Sequence, residues 1–144
     1  MELSFIKADE SDIETLFAFN KELVDAYEDT SALAYDKVLA WIRAKISDNI
    51  DSYTCVTLDG CKAAWYRFVV SDGQAELDDL YVRPEFRNRG IGTRIIEKCC
   101  HEAECPIFLY VFVKNERAVS LYKRLGFRMA EKVSETRYIM RRPH

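Results

Sequence analysis

Seven consecutive apolar residues, Ile107-Phe108-Leu109-Tyr110-Val111-Phe112-Val113, stand between two stretches of helical periodicity. The run is short for a buried helix and lacks the two-residue alternation of a half-exposed strand, so it predicts a strand covered on both faces. Such a strand needs a layer above and a layer below, which restricts the chain to a sheet with helices packed on it. The rest of the sequence supplies those layers. Residues 3–8 predict a short strand, and Ser11 stands as an N-cap with Glu14 as its capping-box partner. A helix follows through Ile13, Leu16, Phe17, Leu23, Val24 and Tyr27, and residues 22–36, holding Asp25, Glu28 and Asp29, loosen toward a loop. Residues 36–47 repeat the helical spacing. Residues 52–58, 61–70 and 75–82 are β-rich and are joined by Asp59-Gly60 and by Ser71-Asp72-Gly73-Gln74, which makes an antiparallel meander. Residues 87–104 and 116–125 are helical in spacing, Gly126 stops the second, and residues 127–132 and 136–141 close the chain as strands around Ser134-Glu135. The order β-α-α-β-β-β-α-β-α-β-β is a mixed α/β domain spanning residues 1–144.

At 144 residues, 49% hydrophobic and 31% charged, the chain buries enough surface for a core without staples. Its five cysteines form no Cys-x-x-Cys pair and read as reduced thiols. Cys99, Cys100, His101 and Cys105 fit no standard zinc spacing, and no metal is expected. No apolar run approaches the roughly 20 residues of a membrane span, and residues 1–10 lack a leader pattern, so a soluble cytoplasmic protein without membrane partners is expected. Charge is unevenly placed: residues 1–82 carry 7 basic and 17 acidic side chains, residues 83–144 carry 14 and 7. A basic half suits a phosphate-bearing ligand and an acidic half a cationic one, unless both are solvated surface. Nucleic acid is disfavoured, because no Lys/Arg stripe is interleaved with aromatics and the pI is about 5.5.

Three segments carry more than packing requires. Arg87-Asn88-Arg89-Gly90-Ile91-Gly92-Thr93 places glycines in the first turn of a helix, where each costs up to about 1 kcal/mol relative to alanine. Either the bare backbone admits a phosphate to the helix N-terminus or the glycines serve a plain strand–helix corner. Ala75-Glu76-Leu77-Asp78-Asp79-Leu80-Tyr81-Val82 carries three carboxylates in one strand. Strict alternation puts Glu76, Asp78, Leu80 and Val82 on one face and turns Asp79 away as an ordinary surface acid. In the third segment, Asn115 caps a helix and Tyr122 lies on its apolar stripe.

Together these segments resemble the GNAT N-acetyltransferase superfamily over nearly the whole chain. The Arg/Gln-x-x-Gly-x-Gly/Ala signature stands as Arg87-Asn88-Arg89-Gly90-Ile91-Gly92, and a second signature stands complete as Asn115, Ala118, Tyr122, Gly126 and Phe127. The resemblance implies a mixed, mostly antiparallel sheet of about seven strands flanked by four helices and splayed between strands 4 and 5. It implies acetyl-CoA as acyl donor, with backbone N–H groups of Arg87, Asn88, Arg89, Gly90, Ile91, Gly92 and Thr93 on the pyrophosphate and Leu80 and Val82 pairing with the pantetheine arm. The N–H near Tyr81 would stabilise the oxyanion, and Asn115 would contact pantetheine. Tyr122 would act as general acid to the departing sulfur, and Glu76, directly or through a water, as base to the amine, with Asp78 the runner-up.

The resemblance also implies an acceptor wall built from the first two helices, with Asp78, Tyr27 and Glu28 as candidate contacts. Residues 9–36 hold nine acids and one lysine, which points to a cationic small-molecule or peptide amine. A non-catalytic acyl-CoA-binding sensor of the same fold is the alternative, disfavoured by the retained Tyr122 and Glu76. A nucleotide-binding regulatory domain lacks both the Walker lysine pattern and the Gly-x-Gly-x-x-Gly fingerprint. Relatives commonly form homodimers, but no segment here marks an interface.

Overall fold

The computed structural model describes residues 2–31 and 34–144. Its elements are β1 (Leu3–Lys7), α1 (Ile13–Tyr27), α2 (Tyr35–Asp48), β2 (Tyr53–Leu58), β3 (Cys61–Ser71), β4 (Gln74–Val82), α3 (Ile91–Glu102), β5 (Ile107–Phe112), α4 (Glu116–Arg124), β6 (Arg128–Lys132) and β7 (Arg137–Arg142). Chain order therefore matches the expected series. The loosening expected within residues 22–36 starts at Glu28, whose backbone is extended, and Ala32 and Leu33 of that stretch lie outside the described residues. So does Met1, the first of residues 1–10.

Seven strands form one sheet in the order β1-β2-β3-β4-β5-β7-β6, antiparallel throughout except for the parallel β4–β5 pair. Both hairpins of the meander turn on Asp-Gly with positive φ at each residue: 49° and 87° at Asp59-Gly60, 53° and 77° at Asp72-Gly73. Two left-handed residues match the right-handed twist of the flanking strands, which sets the register of β2–β3–β4.

Against one face of the sheet lies α3, burying Ile91, Ile95, Ile96 and Cys99 against Ala75, Leu77, Leu109, Met140 and neighbours. α4 adds Ala118, Val119, Leu121 and Tyr122 to the same cluster. Against the other face lie α1 and α2, whose Leu16, Val24, Ile42 and Ile46 pack with Tyr53, Cys55 and Trp65. β5 is buried throughout only on the α3 side, through Ile107, Leu109 and Val111; on the other side Phe108 is half-buried, Tyr110 is 49% exposed where it faces a cleft, and Phe112 alone is buried, so the expected cover on both faces is incomplete.

Two helix starts differ from expectation. Asp9 caps the turn leading into α1, its carboxylate accepting from Ser11 N while Asp12 accepts from Asp9 N, so the reciprocal box lies two residues before the expected Ser11–Glu14 pair. Carboxylates accept from backbone N–H groups more strongly than a hydroxyl does. Glu14 instead pairs with Arg43 of α2, and Asp12, 2% exposed, is held 2.8 Å from Lys62 Nζ. The helix expected from residue 87 begins only at Ile91, after a short 3-10 turn at Pro84–Phe86 and a loop at residues 87–90. Gly90 sits at the N-cap with φ 76°, a left-handed conformation no β-branched or bulky residue tolerates well.

Candidate active site

β4 begins as a partner of β5 and ends apart from it. The parallel pairing covers only Ala75↔Ile107 and Glu76↔Phe108, so the two strands separate toward their carboxyl ends as expected. On its other side β4 slips against β3: Arg67 pairs with Asp78 and Trp65 with Tyr81, leaving two β4 residues opposite one of β3. That is a bulge, and Asp79 occupies it with φ 51°.

The bulge overturns the expected faces of β4. Glu76, Asp78, Asp79 and Tyr81 all lie on the α1/α2 side, whereas Leu80 and Val82 pack toward α3. Asp79 is no surface acid: its Oδ2 accepts from the buried Tyr53 hydroxyl at 2.6 Å, with Asn20 as a second donor. Burial, and then the Asp78 charge, raise its carboxyl well above the ordinary carboxylate range.

A cleft of about 470 Å³ opens where β4 and β5 part. Glu76, Asp78 and Asp79 line it from β4, Tyr110 and Phe112 from β5, Asn115 and Tyr122 from α4 and its cap, and Trp41 and Lys45 from α2. Lys45 Nζ lies 2.5 Å from Asp78 Oδ2. Burial would lower its pKa, but the charges of Asp79 and Asp78 prevail and raise it. Glu76 has no hydrogen bond or ion pair among the described residues, and burial followed by the Asp78 charge raises its pKa too. The Tyr122 hydroxyl is pushed up to about 12, first by burial and then by Asp78, so it stays protonated at neutral pH.

Asn115 caps α4 through its side-chain oxygen, which accepts from Ala118 N at 3.3 Å. Gly126 ends that helix with φ 96°, and a Cβ there would come within 3.1 Å of Arg142 Nε. Tyr122 is fixed by its position two turns into α4 and by Phe127, 5.8 Å from it between ring centres.

Beyond the cleft the loop at residues 87–90 is tied back to β4, Arg87 Nε donating to Val82 O at 3.2 Å. Asn88 has φ 63° and accepts from Arg117 at 3.4 Å, while Arg89 lies over the Phe86 ring. No side chain caps the N-terminus of α3, and the space beside Gly90 is open, so the free N–H groups of that turn, through Gly92 and Thr93, face outward. A phosphate fits this cradle by chemistry and by room. Tyr81 lies stacked between Phe19 and Trp65, its side chain used for packing.

Not every expected residue converges. Tyr27 packs 5.7 Å from the Phe112 ring, and Glu28 accepts from the Thr136 hydroxyl; neither lines the cleft. The acids of residues 9–36 are largely engaged away from the cleft: Asp12 by Lys62, Glu14 by Arg43, Asp25 by Lys21 and Tyr35. The cleft's negative charge comes from β4 instead. The sequence reading missed Asp79, Tyr53, Lys45 and Trp41, which only the packing of α1 and α2 on β4 brings together. The five cysteines are all free thiols, two of them buried: Cys55 is pushed up to about 11 and Cys99 to about 12 by burial. Among the described residues no cluster of His, Cys, Asp or Glu is arranged to hold a metal, and no helix is long and apolar enough to cross a membrane.

Comparison with known proteins bears on the whole arrangement. An uncharacterized N-acetyltransferase of Methanocaldococcus jannaschii is 38% identical over 77 residues, 51% of this chain and 34% of that protein. A thialysine N-epsilon-acetyltransferase of Sus scrofa is 48% identical over 56 residues, 36% of this chain and 33% of that protein. The matched segments thus span about a third of the length of these relatives. Among solved structures, a PaiA N-acetyltransferase from Thermoplasma acidophilum in complex with coenzyme A superposes with a TM-score of 0.72 at 19% identity, covering 100% of both chains. An acetyltransferase from Thermus thermophilus does so at 0.74 and 16% identity, over 100% of this chain and 98% of that one. The model of the acetyltransferase (GNAT) family matches residues 9–127, and this chain belongs to that family.

Proposed function

We propose that the chain is an acetyl-CoA-dependent N-acetyltransferase that passes an acetyl group directly to a primary amine. One observation carries the reading: Tyr122 and Asn115, from the second motif, line the same cleft as the β4 carboxylates, beside the gap where β4 leaves β5. When bound, acetyl-CoA supplies a thioester activated toward amines. The free N–H groups from Gly90 to Thr93 would hold its pyrophosphate, Leu80 and Val82 would pair with the pantetheine through their backbones, and Asn115 would lie beside it. The Tyr122 hydroxyl, protonated at neutral pH, is suited to deliver a proton to the leaving sulfur.

The acceptor arrives as an ammonium and must lose a proton before it attacks. Of the three β4 carboxylates, Asp78 is neutralised by Lys45 and Asp79 is engaged by Tyr53. Glu76 is the one with no hydrogen bond or ion pair among the described residues, and its raised pKa makes it the better base. The Glu76 carboxylate, with no such partner of its own, favours an ammonium beside it, and the thialysine acetyltransferases among the relatives are consistent with a cationic acceptor.

Calorimetric titration with CoA and acetyl-CoA, followed by thiol release against a panel of primary amines, tests the proposal. Binding with turnover is the expected result; the Michaelis constant of a cationic acceptor should rise with ionic strength. Binding without turnover would favour an acyl-CoA sensor. No binding would overturn the donor assignment.

A further inference from the structure

Three cations reach the cleft, and their head groups are not equally engaged. Lys45 is bound to Asp78. Arg67 donates from Nε to the Ser52 hydroxyl at 2.6 Å and from a terminal nitrogen to the Asn49 side-chain oxygen at 3.3 Å. Arg137 has no hydrogen-bond acceptor and no carboxylate within reach of its guanidinium among the described residues. Exposed at the cleft rim, it stacks on the Phe112 ring, whose centre lies 4.7 Å from the guanidinium carbon, and Phe112 is its register partner across β5 and β7. Stacking on an aromatic ring orients the guanidinium and leaves its N–H edge free to bind.

Glu76 likewise has no hydrogen bond or ion pair among the described residues in the same cleft, although the charges of Lys45 and Arg67 reach it. The two groups left over are therefore opposite in sign and come from β4 and β7, on either side of β5. A simple polyamine would satisfy Glu76 and set a second ammonium against Arg137, a like-charge encounter. A ligand carrying both charges satisfies both. We propose that the acceptor bears a carboxylate as well as its reacting amine, with Arg137 binding the carboxylate while the amine faces Glu76. A basic amino acid meets both demands, and the planar fork of Arg137 matches a carboxylate in two parallel hydrogen bonds. Arg137 is then a specificity-determining residue that takes no part in proton transfer. The inference rests on the transferase reading of the preceding subsection.

The test compares L-lysine with cadaverine, the same chain without the carboxylate, by thiol release in the wild type, Arg137→Gln and Arg137→Lys. The wild type should favour lysine in kcat/KM by about tenfold or more. Arg137→Gln should bring that ratio to about one by raising KM for lysine alone, with kcat, turnover of cadaverine and KM for acetyl-CoA held within about twofold; Arg137→Lys should retain part of the preference. Equal loss on both amines, a change confined to acetyl-CoA, or a wild type that prefers cadaverine would overturn the proposal. Were neither amine turned over, the transferase reading would be at fault, and calorimetric binding of the pair to the CoA-loaded wild type and Arg137→Gln would still decide. Tighter binding of lysine that vanishes in the variant supports the proposal; equal or undetectable binding of the two refutes it.

Discussion

Toward α3, strand β4 contributes Ala75, Leu77, Leu80 and Val82; toward α1 and α2 the same strand contributes Glu76, Asp78, Asp79 and Tyr81. The first face packs isoleucines and is apolar, with Leu80 and Val82 only partly buried at its carboxyl end; the second is ionic and opens on a cleft. They differ because the bulge at Asp79 adds one residue to one side of the alternation, placing a third carboxylate on the cleft face without taking an apolar residue from the core face. The α3 face of β4 carries packing alone and the other face adds the ionisable groups, so the two should respond separately to substitution.

Truncating the packing on the α3 face gives the largest effect: Ile95→Ala, at a fully buried position, should lower the unfolding free energy by roughly 2–5 kcal/mol in chemical denaturation, with acetyl-CoA affinity unchanged in the folded fraction. A loss shared equally by stability and affinity would break the division. Tyr122→Phe should do the reverse, lowering kcat by about tenfold or more while leaving acetyl-CoA affinity nearly intact; an unchanged kcat removes Tyr122 from proton delivery.

Gly90→Ala addresses the backbone where the faces meet. At φ 76° a Cβ costs about 1–2 kcal/mol, and thermal denaturation should show that loss together with weaker CoA binding. Loss of stability without loss of binding would make the glycine a corner residue only.

The smallest effect concerns Asp79. Its carboxyl titrates above the ordinary value of 3.8 in the fold, so between the unfolded and folded pKa the native state holds more protons than the unfolded chain. Stability contributed by this group is therefore present at low pH and lost as pH rises through that window. Asp79→Asn should flatten the decline, and urea titrations across the acid-to-neutral range would show it. An unchanged slope would mean that Asp79 stays ionised.

The order of elements, both Asp-Gly hairpins, the asparagine cap of α4 and the glycine that ends it were legible because each depends on neighbours within a few residues. So were the two motifs, and with them the placement of Tyr122 beside the gap. Asp9 was missed as a cap because Ser11 competes for the same local geometry and only the hydrogen bonds distinguish them. The face of Asp79, the engagement of the N-terminal acids, the Lys45–Asp78 pair and the free guanidinium of Arg137 belong to tertiary structure. Alternation along a strand is a local rule, and a bulge is decided by what packs above and below it: here Tyr53 supplies a hydroxyl and α1 supplies Asn20, two partners that no reading of β4 by itself contains. The sequence determined that this chain builds a splayed sheet with a tyrosine at the opening; which charges reach that opening was decided by elements distant in the chain, because electrostatic pairing depends on separation in space and not along the backbone.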